Sequence, residues 1–338
     1  MNAPGEIQLA RQAWNQCRYR PAAEEGHYES YFQRANHPSR PLAFWIRYTL
    51  FSPKGRPHNA VGELWAIYFD GETGRITAAK EVHPIKDCRV AESALDLSIG
   101  GASLDESSLQ GQASANGHTL QWSLHYSSAQ APLLLLPRSL YESGFPKAKA
   151  LVGAPNALFD GVITVDGTSI PIQQWQGSQN HNWGSKHTDS YAWGQVAGFD
   201  NAPDAFLECS TARLRIGPFW TPAMSLAVLR VDGREYALNS MRQALRAKGS
   251  FDFFDWHVES ASAEANITVH IRAPRPGFVG LRYDNPPGGA KTCLNTKLAR
   301  CDVTLALPGQ APRTLSTAHR AAFEILTERQ DHGIAIVA

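Results

Sequence analysis

From Asn180 to Gln195 the chain reads NHNWGSKHTDSYAWGQ, which sets two histidines, two tryptophans, a tyrosine, a lysine and an aspartate within sixteen positions. Imidazole, phenol and carboxyl groups can hold or move protons, and indole faces can stabilise a cation. Strand alternation puts His181 and Trp183 on one face, and Tyr191, Trp193 and Gln195 on one face of the next strand. Ala192, Gly194, Val196 and Gly198 fill the opposite face. Large amphipathic groups on one side and small ones on the other suit a curved wall around a cavity. Asn182 joins Trp183, Trp193 and Gln195 as a residue able to line a small-molecule pocket. The same rings would also close a solid core with His181 as a satisfied structural histidine, and the pattern leaves both open. GSKHTD reads as a hairpin connection, with His187 a solvated turn residue.

The acids that could serve these rings are Asp189, inside the stretch, and Glu208 in AFLECS, which could face His181 and Tyr191. A carboxylic acid in an apolar cavity is a competent proton donor. Glu63 in VGELWAIYF also falls on an apolar strand face, where pairing with Arg47 of the preceding strand is the expected arrangement. FDFFDWH (251–257) is an acidic and aromatic cluster that fits either the rim of an opening or a solvated edge. His181 and His187 stand six apart, which matches no metal-ligand spacing, so no metal is expected. No nucleophile elbow and no phosphate loop occur, and no cofactor is expected.

These residues need a scaffold, and the chain around them alternates with a period of two. Strands are expected at 42–51, 61–69, 93–99, 118–126 and 161–167, and again at 191–199, 205–217, 224–233, 265–272 and 301–309. Strands with little helix between them favour antiparallel barrels or sandwiches. Residues 5–19 carry Ile7, Ala10, Trp14 and Cys17 at helical spacing, and 318–329 reads as a closing strand. A faint echo between 46–69 and 191–209 points to duplication, with the domain boundary expected at 165/166. Net charge of +1, from 32 basic and 31 acidic residues, gives no field to attract nucleic acid. Five scattered cysteines without a CxxC pair read as reduced thiols. The N-terminus does not resemble a secretion signal, and no apolar run is long enough to span a bilayer, so a soluble cytoplasmic protein is expected.

Four stretches carry a resemblance: EGHYESYFQRANHP (25–38), LAFWIRYTLFSPKG (42–55), GELWAIYFDGETG (62–74) and HNWGSKHTDSYAWGQ (181–195). Together they resemble the lipocalin-like AttH/hydroxyneurosporene synthase family, which includes carotenoid 1,2-hydratases and is related in fold to tocopherol cyclase-like proteins. The resemblance implies two side-by-side lipocalin-like antiparallel β-barrels and hydrophobic substrates. In the hydratase branch, acid chemistry on an isoprenoid double bond is attributed to the histidine and tryptophan of an HxW motif with a nearby tyrosine and aspartate. His181 and Trp183 match the motif and Tyr191 the tyrosine. Two positions past Tyr191 stands Trp193 where a carboxylate is implied, and Asp189 and Glu208 are the candidate substitutes.

The expectation is therefore an all-β chain of two barrels, residues 1–165 and 166–338, preceded by a short helix. It would bind an isoprenoid or fatty-chain molecule. Cofactor-independent, acid-catalysed hydration, isomerisation or cyclisation of an alkene would involve His181, Tyr191, Glu208 and Asp189. A non-catalytic lipid carrier and a solid-barrel scaffold are the competing classes.

Overall fold

Val, Ile, Tyr, Phe and Trp at alternate positions make pleated surfaces with a face to bury. In a computed structural model, which describes residues 4–338, such strands form two antiparallel sheets. The first, of twelve strands, runs from Arg75–Pro84 through Val61–Asp70, Leu42–Ser52 and His27–Asn36 to Thr168–Gly184, Ala148–Val165 and His118–Ser127, then through short strands to Cys88–Val90. It curls round a core that includes Phe44, Tyr48, Trp122 and Phe159. Trp122 Nε1 donates to Tyr48 Oη across that interior at 2.9 Å. The ten-stranded second sheet is built likewise, with Trp256 Nε1 donating across to Thr211 Oγ1 at 2.9 Å. These are the expected lipocalin-like barrels.

Each sheet repeats one arrangement, with its first strand held between its second and its last. His27–Asn36 lies between Leu42–Ser52 and Thr168–Gly184, and Ser190–Phe199 between Ala202–Arg213 and Arg313–Thr327. The expected closing strand is thus present. The barrels stand side by side over a third apolar cluster, where Phe32, Trp45 and Trp65 of the first meet Val279, Leu281, Tyr283 and Leu326 of the second.

Three local expectations need correction. The GSKHTD segment is a passage from one sheet to the other, not a hairpin, because both edges of Thr168–Gly184 and both edges of Ser190–Phe199 are already paired elsewhere. Val165 and Thr168 close a hairpin inside the first sheet through Asp166 and Gly167, both at positive φ. The sheet accordingly changes between Gly184 and Ser190, not at 165/166. The helix is Pro4–Asn15, shorter than 5–19. Its last carbonyls are captured from outside, Trp14 O by His181 Nδ1 at 3.0 Å and Asn15 O by Tyr31 Oη at 2.9 Å, so the open end of the helix is satisfied there.

Candidate functional site

Alternation in Thr168–Gly184 divides the opening motif between two compartments. Gln179, His181 and Trp183 turn toward Tyr31 and the N-terminal segment. Asn180 and Asn182 turn toward the second barrel.

On the helix side, His181 is fully buried, stacks on Tyr31 at 4.2 Å and lies 4.6 Å from the Trp183 ring. Its Nε2 is 2.8 Å from Glu29 Oε1, a partner 152 positions away in sequence. Both ring nitrogens therefore face acceptors, the Glu29 carboxylate and the Trp14 carbonyl. Glu29 also accepts from the Arg18 backbone N–H, the Cys17 thiol and His27. Burial alone would raise Glu29, but the hydrogen bonds from His181 and His27 hold it well below the ordinary carboxylate range. Trp183 is roofed by the Arg18 guanidinium at 3.7 Å and packs against Tyr141.

On the other side, between the barrels, lies a cavity of about 190 Å³. Tyr28, Phe32, Arg47, Asn180 and Asn182 line it from the first barrel, and Tyr191, Trp193, Glu208, Tyr283 and Glu324 from the second. Leu135, Leu136, Leu140, Phe145, Met224 and Leu226 complete an apolar wall. His181 belongs to the wall too, with both nitrogens already bound.

Two glutamates, Glu208 and Glu324, line this cavity, and Glu208 is the one without a basic partner in hydrogen-bond contact. Trp193 Nε1 donates to Oε1 at 2.8 Å and Gln195 Nε2 to Oε2 at 2.7 Å. The Gln195 amide cannot turn over without loss, since its oxygen accepts from Arg34 Nε at 2.8 Å and Ser178 Oγ at 2.6 Å, and its nitrogen also donates to Asn180. Burial pushes Glu208 up to about 7, against the lowering effect of Trp193 and Gln195. Neighbouring Glu324 is paired with buried Lys297 at 2.7 Å.

Tyr191, Trp193, Glu208 and Asn182 thus meet around one space, with Gln195 bracing Glu208 from behind. Trp183 and Asp189 do not line it. Asp189 is tied to Lys186 at 2.6 Å and to the Arg215 backbone N–H at 2.9 Å, in a polar recess. The expected Glu63–Arg47 pair is absent. Glu63 bonds Lys80 at 3.0 Å and Trp65 Nε1 at 3.2 Å, while Arg47 bonds Thr49 and Ser30. His187 is buried, not solvated, because its ring stacks on Tyr28 at 4.0 Å and its backbone N–H is held by Asn285. Its Nε2 donates to the Asp284 carbonyl at 3.2 Å, and burial, reinforced by the Arg47 charge, lowers it to about 3.

A family model described as tocopherol cyclase-like matches residues 145–325, just over half of the chain. The chain belongs to the tocopherol cyclase-like family. The matched span holds HNWG, YAWGQ and Glu208, and so most of the second wall of the cavity. Uncharacterized protein Rv0493c of Mycobacterium tuberculosis is 23% identical over 302 residues, covering 89% of this chain and 87% of its own. Among solved structures, the AttH candidate NE1406 from Nitrosomonas europaea superposes with a TM-score of 0.56 at 13% identity, over 89% of this chain and 91% of its own. Kievitone hydratase from Nectria haematococca gives 0.56 at 11%, covering 92% and 93%. CghA in complex with Sch210972 gives 0.54 at 12%, covering 94% and 95%. These likenesses bear out the AttH-type fold expected for a tocopherol cyclase-like chain.

Proposed function

We propose that the cavity between the barrels binds a hydrophobic small molecule and that Glu208 delivers a proton to one of its double bonds. The observation that carries this is a buried carboxyl, raised to about 7, facing an otherwise largely apolar space beside an indole. A carboxyl that titrates near 7 is protonated in a large share of molecules at neutral pH, whereas an ordinary one is not, and it can still release its proton. The Glu208 O–H bond breaks as a C–H bond forms on the alkene, leaving a tertiary carbocation. Trp193 stands beside the donor, and its π-face contributes up to about 2 kcal/mol to such a cation. Addition of water followed by return of a proton to the Glu208 carboxylate gives hydration. Loss of a neighbouring proton to that carboxylate gives isomerisation, and attack by a second double bond begins cyclisation.

His187 is better placed than His181 to orient water. Its Nε2 is engaged and Nδ1 has no protein partner among the described residues, so a neutral ring presents an acceptor at the cavity wall. That one fold neighbour is named a hydratase, and another was solved with a small molecule bound, is in keeping with this reading.

A carrier without catalysis is the second reading, favoured by one observation: both Glu208 oxygens are already bonded to the protein. The two separate on Glu208→Gln. The protein is incubated with isoprenoid and fatty alkenes and the products are read by mass spectrometry for gain of water or isomer formation. A catalytic Glu208 predicts turnover in the wild type falling by roughly 100-fold or more in the variant. Bound ligand with no product in either protein favours carriage.

A further inference from the structure

Arg47 is 4% exposed and lines the cavity, yet no carboxylate lies within salt-bridge distance of it among the described residues. Its protein hydrogen bonds go to neutral hydroxyls, Nε to Thr49 Oγ1 at 3.0 Å and Nη2 to Ser30 Oγ at 2.6 Å, and Nη1 makes no hydrogen bond among the described residues. The nearest acids are spent on other cations, Glu63 on Lys80 and Glu324 on Lys297. The guanidinium instead lies over the Tyr283 ring at 4.5 Å. Tyr283 Oη is buried and meets only the Cys293 thiol, with no oxygen or nitrogen partner among the described residues, and the acceptor Asn182 Oδ1 is unpartnered there too. The Tyr28 and Tyr191 hydroxyls, on the same cavity, also make no protein hydrogen bond among the described residues.

A buried cation without a counter-ion is costly, and so is each unpaired buried hydroxyl. Here a guanidinium without an ion pair and three tyrosine hydroxyls share one cavity, and the Glu324 carboxylate that also lines it is already bound to Lys297. A cavity for a pure hydrocarbon has no use for these groups. From this we infer that the ligand carries an anionic oxygen group, a carboxylate, received by Arg47 with the tyrosine hydroxyls, while its chain lies along Leu135, Leu136 and Met224. The inference rests on the cavity being a ligand site, as proposed above, and narrows the substrate class to an acid-headed isoprenoid or fatty chain. Charge-assisted bonds to a guanidinium supply both affinity and orientation.

The test compares matched pairs differing only in the head group, farnesoic acid against farnesol and oleic acid against oleyl alcohol, by calorimetric titration of the wild type and Arg47→Gln at about pH 6, where Glu208 keeps its proton and the acid heads are ionised. The acids should bind the wild type about 10- to 100-fold more tightly than the alcohols. Arg47→Gln should remove that preference by weakening the acids alone, and Arg47→Lys should restore part of it. Acids and alcohols binding the wild type equally would overturn the anionic head while leaving the apolar cavity in place. No binding of either class would overturn both. Since the head-group comparison is made on the wild type, it stands whether or not the variants fold.

Discussion

Glu29 and Glu208 are both buried carboxyls, 0% and 2% exposed, one on each barrel, and their surroundings drive them in opposite directions. Glu29 collects donors from two histidines, a backbone N–H and a thiol, which hold it ionised. Glu208 has two neutral donors, with Arg34 and Glu324 acting on it in opposite senses, and burial prevails, pushing it up to about 7. Burial is common to both, so it cannot be what separates the acid held ionised from the one proposed above as the proton donor. The number and charge of the donors decides. The first acid fastens the N-terminal helix to its barrel through His181, and the second faces the cavity between the barrels.

The largest effect expected from breaking this contrast is at Glu29. Glu29→Gln should cost about 3–5 kcal/mol, because it strips the charge from a buried ionic cluster, whereas the isosteric Glu208→Gln should stay within about 1 kcal/mol at pH 5; denaturant unfolding of both measures the difference. His181→Ala belongs with Glu29, and a fall in melting temperature equivalent to about 2–4 kcal/mol is expected from lost stacking and an orphaned carboxylate. A small loss there would detach His181 from the structural role.

The pH dependences should run in opposite senses. The folded pKa of Glu208 lies above its unfolded value, so the native state keeps a proton the unfolded chain releases, and stability falls as pH rises between about 4.5 and 7. The wild type should lose about 3 kcal/mol relative to Glu208→Gln across that window. The folded pKa of Glu29 is depressed, so its contribution is present above the ordinary carboxylate range and is lost as pH falls through its lower folded value. Unfolding measured from pH 3 to pH 8 on the wild type and both glutamine variants reads both slopes.

How far the sequence carried this contrast depended on the range of each interaction. The strands were readable from alternation, as in His118–Ser127, because period two is a local property. Tyr191, Trp193 and Glu208 were readable as a group because their strands are consecutive and paired, with Gln195 opposite Glu208. Glu29 was not, since nothing near His181 in sequence announces a partner 152 residues away. A signal was present nonetheless: HYESYFQRAN places a glutamate, a glutamine and an arginine on a strand that proves almost wholly buried. GSKHTD misled because its composition suits a tight turn, while the strands flanking it had already found other partners. His187 was misplaced for the same reason, its burial being supplied by Tyr28 and Asn285, both distant in sequence.

The smallest effect sharpens the comparison from within the cavity. Trp193→Phe removes one donor from Glu208 and should raise its ionisation midpoint by less than about one pH unit, with stability changed by about 1 kcal/mol. The ionisation of Glu208 itself tests the central claim most directly, followed through the carboxyl carbon resonance of glutamate-labelled protein and assigned by its disappearance in Glu208→Gln. A midpoint near 7 is predicted. A midpoint in the ordinary carboxylate range, about 4 to 5, would contradict it and leave Glu208 ionised and unable to act as the acid.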